Sequence, residues 1–292
     1  MKSVRGYIEL CCDYKQSAIG LFNLPILQFC LNLMGQATSS PLVLTGEAMN
    51  EKKLLKQARA EHNTGLVTLI LYLKRYLAMY FNDLEYAESL SKKLRRSSKL
   101  DLPLIPILSF FGFFMDALAA VEKAKICKRP SVSRRRCIKF ARQRLKKMKE
   151  GALHCPENFQ GKVLLIEAEL ATCSGDYDRA LSKFKQSIVF AEHQGFIHEH
   201  AFTCEKMGRM LRDCCGKAAD AEMYFVKARD LYRQYGASLL ETRITGEIEK
   251  CCQHGVTGIL KRGRERKFGL HCRAFGRYMP QLSKDDFAVM GY

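Results

Sequence analysis

The chain has 292 residues, 47% of them hydrophobic and 27% charged, with a formal net charge of +18. That length and balance exclude an intrinsically disordered chain and support a sizeable core. The cationic excess points to anionic partners of some kind, acidic protein faces, phospholipid or nucleic acid, without choosing among them.

Taken in chain order, residues 1–20 carry no strong pattern, and Phe22–Gly35 then reads as an apolar helix. Glu47–Glu61 has amphipathic spacing, which predicts a second helix. Leu66–Phe81 predicts a third, closed by the turn Asn82-Asp83, with Ala87, Leu90 and Leu94 marking its partner. Two further helices are expected near 103–125 and 131–149. Leu102 to Val121 is long enough to raise the question of a membrane span. Pro103, Pro106 and the charge of Asp116 argue instead for a buried helix.

The clearest unit runs from Gly161 to Gln194. Lys162–Ser174 places Leu164, Leu165, Ala168 and Ala171 on one helical face, and Ser174-Gly175-Asp176 reads as a turn. Ala180, Phe184 and Ile188 follow at i, i+4 and i+8. The same grammar returns over Phe196–Tyr235, with Gly208 as a close-contact position, Cys215-Gly216 as the turn, and Ala221, Phe225 and Ala228. A small residue where two helices cross, a turn, then alanine and an aromatic four residues apart is the design of tetratricopeptide (TPR) repeats. Ala180 and Ala221 are 41 residues apart, longer than the standard repeat of about 34, so either helices or turns are extended. The expected fold is all-α, a TPR-like superhelix of about five antiparallel hairpins. It divides into an ill-defined segment 1–20, a repeat domain 21–253 and a basic, loose tail 254–292.

Thirteen cysteines would fit a disulfide framework only in a far shorter secreted chain. Lys2 and Arg5 are followed by Glu9, Asp13 and Lys15 rather than by an apolar run, which predicts no secretory signal, reduced thiols and a cytoplasmic setting. The doublets Cys11-Cys12, Cys214-Cys215 and Cys251-Cys252 lack zinc-binding spacing. His198 and His200 are two apart on a helix and point away from each other, so they cannot share an ion. His154-Cys155 is followed by Pro156, and Pro156-Glu157-Asn158 reads as a helix start rather than a nucleophile pair. No phosphate loop of the GxxxxGK[ST] kind is present, nor the HRD and DFG elements of a kinase. No catalytic residue, metal site, cofactor or small-molecule substrate is expected.

His154-Cys155-Pro156-Glu157-Asn158-Phe159-Gln160, followed by Leu164 to Leu170, resembles the helical region of large signalling proteins. Those proteins join a STAND/AAA-like ATPase, often after a serine/threonine kinase domain, to GAF and histidine kinase domains. The likeness continues through Gly175-Asp176-Tyr177, Gly195 to Glu199, and Tyr235-Gly236-Ala237. Upstream, Ser40 to Glu47 is similar as well. It covers roughly residues 25–245 and is strongest over 151–237. What the resemblance implies is a non-catalytic linker or scaffold, detached from the ATPase and kinase domains, that docks a protein partner or a neighbouring signalling domain. The chain departs from the family beyond residue 250, where a GAF domain would be expected.

Two sets of candidate interaction residues emerge. The first is the basic helix at 131–149. Ile138, Ala141, Leu145 and Met148 form its apolar stripe, and Arg134, Arg135, Arg136, Lys139, Arg142 and Lys146 are among the cations around it. Ser131 and Ser133 are expected to cap it. Such a helix suits an acidic partner, an anionic membrane or nucleic acid, and a nucleic-acid-binding repeat protein is one alternative function, a fragment of a multidomain ATPase–histidine kinase the other. The second set is the expected concave face of the first helices, represented by Lys162, Glu169, Glu205 and Arg209 as exposed positions.

Overall fold

A computed structural model describes residues 2–14, 17–97, 106–127 and 131–265. Among the described residues there are twelve helices and no strand, so the all-α expectation holds. The helices are α1 Lys2–Asp13, α2 Ser17–Leu33, α3 Glu51–Ala60, α4 Thr64–Tyr80, α5 Leu84–Ser97 and α6 Pro106–Ile126. They continue with α7 Val132–His154, α8 Pro156–Ser174, α9 Tyr177–His193, α10 Ile197–Asp213, α11 Ala218–Tyr235 and α12 Ser238–Glu265. The chain forms two compact units, Met1–Gly255 and Val256–Tyr292. Of the second unit, residues 256–265 are helical, so the tail expected to be loose from 254 is helical at its start. The remainder of that expected tail, 266–292, lies outside the described residues. The segment 1–20, which shows no strong pattern in sequence, holds α1 and the start of α2.

Local chemistry starts and stops these helices where the sequence signals fall. Asn50, Asn63, Ser131 and Asp176 each accept a hydrogen bond from the backbone N–H three residues on, satisfying a donor that the first turn leaves orphaned. Pro156 sits in the first turn of α8, where its missing N–H costs nothing. Gly175 ends α8 and Gly236 ends α11 in the left-handed region, at φ 86° and 84°.

Consecutive helices pack in pairs: α4 with α5, α6 with α7, α8 with α9, α10 with α11. The starts of α8 and α10 are 41 residues apart, as are those of α9 and α11. The connections inside and between these pairs are short, so the long repeat comes from long helices, of 17 to 19 residues, and not from enlarged turns. Ala180, Phe184, Ala221 and Phe225 are fully buried. A Cβ on Gly208 would stand 2.9 Å from the Phe225 ring, so glycine lets α10 approach the aromatic of α11.

First helices of different pairs also meet. Tyr80 of α4 packs edge-on against Phe202 of α10 at 5.3 Å, and Phe110 of α6 lies 4.9 Å from Phe159 of α8. At the start of α12, the Ser238 hydroxyl donates to the Met34 carbonyl at the end of α2, 2.9 Å away. The apolar stretch expected between 102 and 121 is α6, packed against α4, α7 and α8, and residues 102–105 lie outside the described residues. Among the described residues no helix is long and apolar enough to cross a membrane.

Candidate functional site

The face built from the first helices is not an open docking surface. Lys162, Glu169 and Glu205 are buried, with relative exposures of 4%, 1% and 3%, and Arg209 is half-buried. The expectation that these four are exposed is therefore corrected. The reason is ionic as well as steric. Lys125 of α6 pairs with Glu169 of α8, and Lys162 of α8 pairs with Glu199 of α10. Lys206 of α10 reaches back to Glu122 of α6 at 2.5 Å. Arg243 of α12 makes a two-pronged contact with Glu205 at 2.8 and 2.6 Å, and the Tyr232 hydroxyl donates to the same carboxylate at 3.0 Å. Arg209 lies 3.2 Å from Glu205 and 3.9 Å from Glu247, which Arg212 holds at 2.6 Å. The charged residues that the helical pattern predicts to face a partner find their partners inside the fold.

These surroundings fix the ionisation. Burial alone would raise the carboxyl of Glu205, but Arg243, then Arg209 and Lys206, outweigh it and hold the pKa at about 2. Glu122, opposed by burial and favoured by Lys206 and Lys125, is likewise held at about 2. Both lie below the ordinary value of 4.5. A depressed folded-state pKa contributes stability that is present above the unfolded value and is lost as pH falls through the folded one. The melting temperature is therefore expected to fall as pH drops from about 4.5 to about 2, and Glu205→Gln is expected to flatten that part of the curve. Thermal denaturation followed by circular dichroism across that range checks it, and an unchanged slope in the variant would count against Glu205 as a source.

The basic helix is α7, and here the expectation divides. Arg134 is buried: its guanidinium donates to the carbonyl of Ala124 at 3.0 Å and to that of Cys173, tying α7 to the end of α6 and to α8. It is a structural clamp and not part of a solvated face, which corrects its place among the interaction residues. Arg135, Arg136, Lys139, Arg142 and Lys146 are exposed and form no ion pair among the described residues, although Lys146 stands close enough to Glu150 to help Lys147 hold its carboxyl below the usual value. Lys147 and Lys149, by contrast, pair with Glu150 and Glu167 at 2.8 and 2.6 Å. Arg135, Lys139, Arg142 and Lys146 recur at i, i+4, i+7 and i+11, which draws one cationic stripe roughly 16 Å long, with Glu150 near its Lys146 end. The apolar side of the helix is taken up: Ala141 and Met148 are fully buried, and Ile138 and Leu145 pack against the core.

The fold also joins two basic segments that are far apart in sequence. Arg95 of α5 and Arg144 of α7 both lie over the ring of Phe140, at 5.3 and 4.6 Å. Both reach Asp116 of α6, at 3.1 and 3.5 Å, as does Arg75 of α4 at 3.0 Å. Lys92 and Arg96 of α5 are exposed beside them, whereas Lys99 lies outside the described residues. The sequence shows both clusters as charge runs but gives no sign that Asp116 and Phe140 bring them together.

Among the remaining candidates, His198 is half-buried beside Glu199 and stacks on Tyr235 at 5.4 Å. His200 is buried, and its Nε2 has no hydrogen-bond partner. Both imidazoles are shifted down by burial. The Asn158 amide donates to the Cys155 sulfur at 2.9 Å, in keeping with a helix start at Pro156. Cys11, Cys155, Cys204, Cys214, Cys215 and Cys251 are free thiols, and burial pushes Cys204 up to about 12. Such a thiol is a small core hydrophobe and not a nucleophile at neutral pH. No cluster of metal-ligating side chains occurs among the described residues. Compared with known protein families, curated proteins and solved structures, the chain matches none of them.

Proposed function

We propose that this chain is a non-catalytic helical-repeat scaffold of the TPR-like superhelical kind, and that it docks an acidic segment of a protein partner on the outer face of α7. The observation that carries this reading is the contrast between its two charged faces. The inner cations are spent on internal carboxylates, whereas Arg135, Arg136, Lys139 and Arg142 stand exposed without an ion pair among the described residues, and Lys146 is exposed with only Glu150 near it. The likeness of residues 151–237 to the helical region of STAND/AAA-like ATPase–histidine kinase proteins supports a place in signal transduction, in the cytoplasm, with the catalytic domains supplied elsewhere.

Two features favour an acidic protein over the other anions. Phe140 is the aromatic on this helix, and Arg95 and Arg144 cover it, so it offers no free ring on which a base could stack. The apolar stripe of α7 is buried in the fold, and its exposed hydrophobics Val132 and Leu153 stand singly at opposite ends, so the helix offers no continuous hydrophobic face to a bilayer. Lys139→Glu combined with Lys146→Glu is expected to weaken binding of poly-glutamate at least about tenfold at low salt, because rim charges act through a screened field. The same variant is expected to leave stability within about 0.5 kcal/mol, as exposed positions do. Fluorescence anisotropy with labelled poly-glutamate and with poly-uridine RNA tests this. Equal or tighter binding of RNA, with the same salt dependence, would favour the nucleic-acid reading instead.

A further inference from the structure

Where α4, α6 and α7 meet, two guanidiniums converge on one carboxylate among the described residues. Asp116 is buried, and it alone among the described residues faces the guanidiniums of both Arg75 and Arg144. Arg75 is 2% exposed and holds the inner side of the carboxylate through Nη1 at 3.0 Å. Even with Arg95 left out, two guanidiniums share one negative charge. The Nε–H groups of Arg75 and Arg144 are buried without a hydrogen-bond acceptor. Those inner N–H groups face Asp116 or the core, Arg144 Nε lying 3.5 Å from Asp116 Oδ2, so a second anion would act on the half-buried outer edge of Arg144 and offset the excess positive charge there. Arg144 is the member that can meet one: its side chain is 26% exposed, and Phe113 and Phe140, at 5.3 and 4.6 Å, fix its plane. Arg136 and Lys139, both exposed, precede Phe140 by four residues and by one on this same basic helix.

We infer that Arg144, backed by the Asp116–Arg75 pair and beside Arg95, is a recognition site for a phosphoryl group carried on the acidic protein segment that docks along α7. This rests on the docking reading above and adds to it the chemistry of the anchor. The physical case is the geometry of the cation. A planar guanidinium held flat by two rings presents parallel donors, which match the oxygens of a phosphomonoester dianion better than a single carboxylate does. A phosphoserine brings nearly two negative charges and three acceptor oxygens to a place already short of both. The neighbouring stripe of Lys139, Arg142 and Lys146 would take the carboxylates next to it in the segment.

The test compares two labelled peptides of the same Glu-rich sequence, one with a single phosphoserine and one with serine, bound to the full chain at constant ionic strength. The phosphopeptide is expected to bind at least about tenfold more tightly, with inorganic phosphate competing better than chloride. Arg144→Gln is expected to abolish that preference while leaving the weak binding of the unphosphorylated peptide, and Arg144→Lys, which keeps charge and loses the fork, to retain only part of it. Lys139→Glu with Lys146→Glu is expected to weaken both peptides alike. Equal affinity of the two peptides for the wild type would overturn the phosphoryl site and leave the docking face standing. A preference that survives Arg144→Gln would also overturn it, and failure of either peptide to bind would overturn both readings. Vesicles containing a phosphoinositide, or poly-uridine RNA, bound more tightly than the phosphopeptide with the same dependence on Arg144 would overturn a protein as the source of the phosphate.

Discussion

Replacing Glu205 by alanine is expected to destabilise the chain by about 3–5 kcal/mol, because it strands charges that the fold has already taken out of water. Glu205 is 3% exposed and receives Arg243 through two contacts, Arg209 through one, and the Tyr232 hydroxyl. With the carboxylate gone, Arg243 loses both of its charge-assisted hydrogen bonds and keeps only the weaker field of Glu247, while its Nε is already without a partner. The cost is the desolvation of the orphaned partners and not the strength of the pair as such. The double variant Glu205→Met with Arg243→Met is therefore expected to be more stable than the sum of the single losses, by about 1 kcal/mol or more, as is typical of coupled sites. Urea unfolding followed by circular dichroism measures both. A single-variant loss below about 1 kcal/mol would mean that water reaches these groups and that the inner face is open.

Phe225→Ala is the second large effect, expected to cost about 3–5 kcal/mol. The ring is fully buried, and it fills the space left by Gly208, whose Cβ would stand 2.9 Å from it. The two positions should be coupled. Gly208→Ala overpacks the wild type, by about 1–3 kcal/mol, yet in the Phe225→Ala background its methyl enters the vacated volume and the penalty should largely vanish. Met223→Ala, two residues away but 68% exposed, is the control and should stay within about 0.5 kcal/mol. Additivity between 208 and 225 would contradict the glycine–aromatic contact between α10 and α11.

The periodic elements were legible because their signals are local. Alanine and phenylalanine spacing, the asparagine, serine and aspartate caps, and Pro156 define α4 and α7 to α11 to within a few residues. The charged face was misread for a reason that lies in the same sequence. In α8, Val163, Leu164, Leu165, Ile166, Ala168 and Ala171 leave no wide polar side, so Lys162 and Glu169 had nowhere exposed to go. A helix apolar all round is a buried helix, and charges on it must be paired. In α10 the neighbours Phe202, Cys204 and Met207 carry the same message for Glu205. The partners themselves, Lys125 to Glu169 across 44 positions and Lys206 to Glu122 across 84, depend on tertiary packing and have no local signature. Arg134 shows the converse: one cation among three consecutive arginines turns inward because α7 presents that position to two carbonyl ends.

Lysine footprinting with an amine-reactive acetylating reagent, read by mass spectrometry with and without poly-glutamate, tests the central contrast most directly. Lys139 and Lys146 should label quickly and become protected by the acidic polymer, while Lys162 and Lys206 should resist labelling in both conditions. Rapid labelling of Lys162 and Lys206, or protection by poly-glutamate that spares Lys139 and Lys146, would contradict a closed inner face and an outer docking stripe.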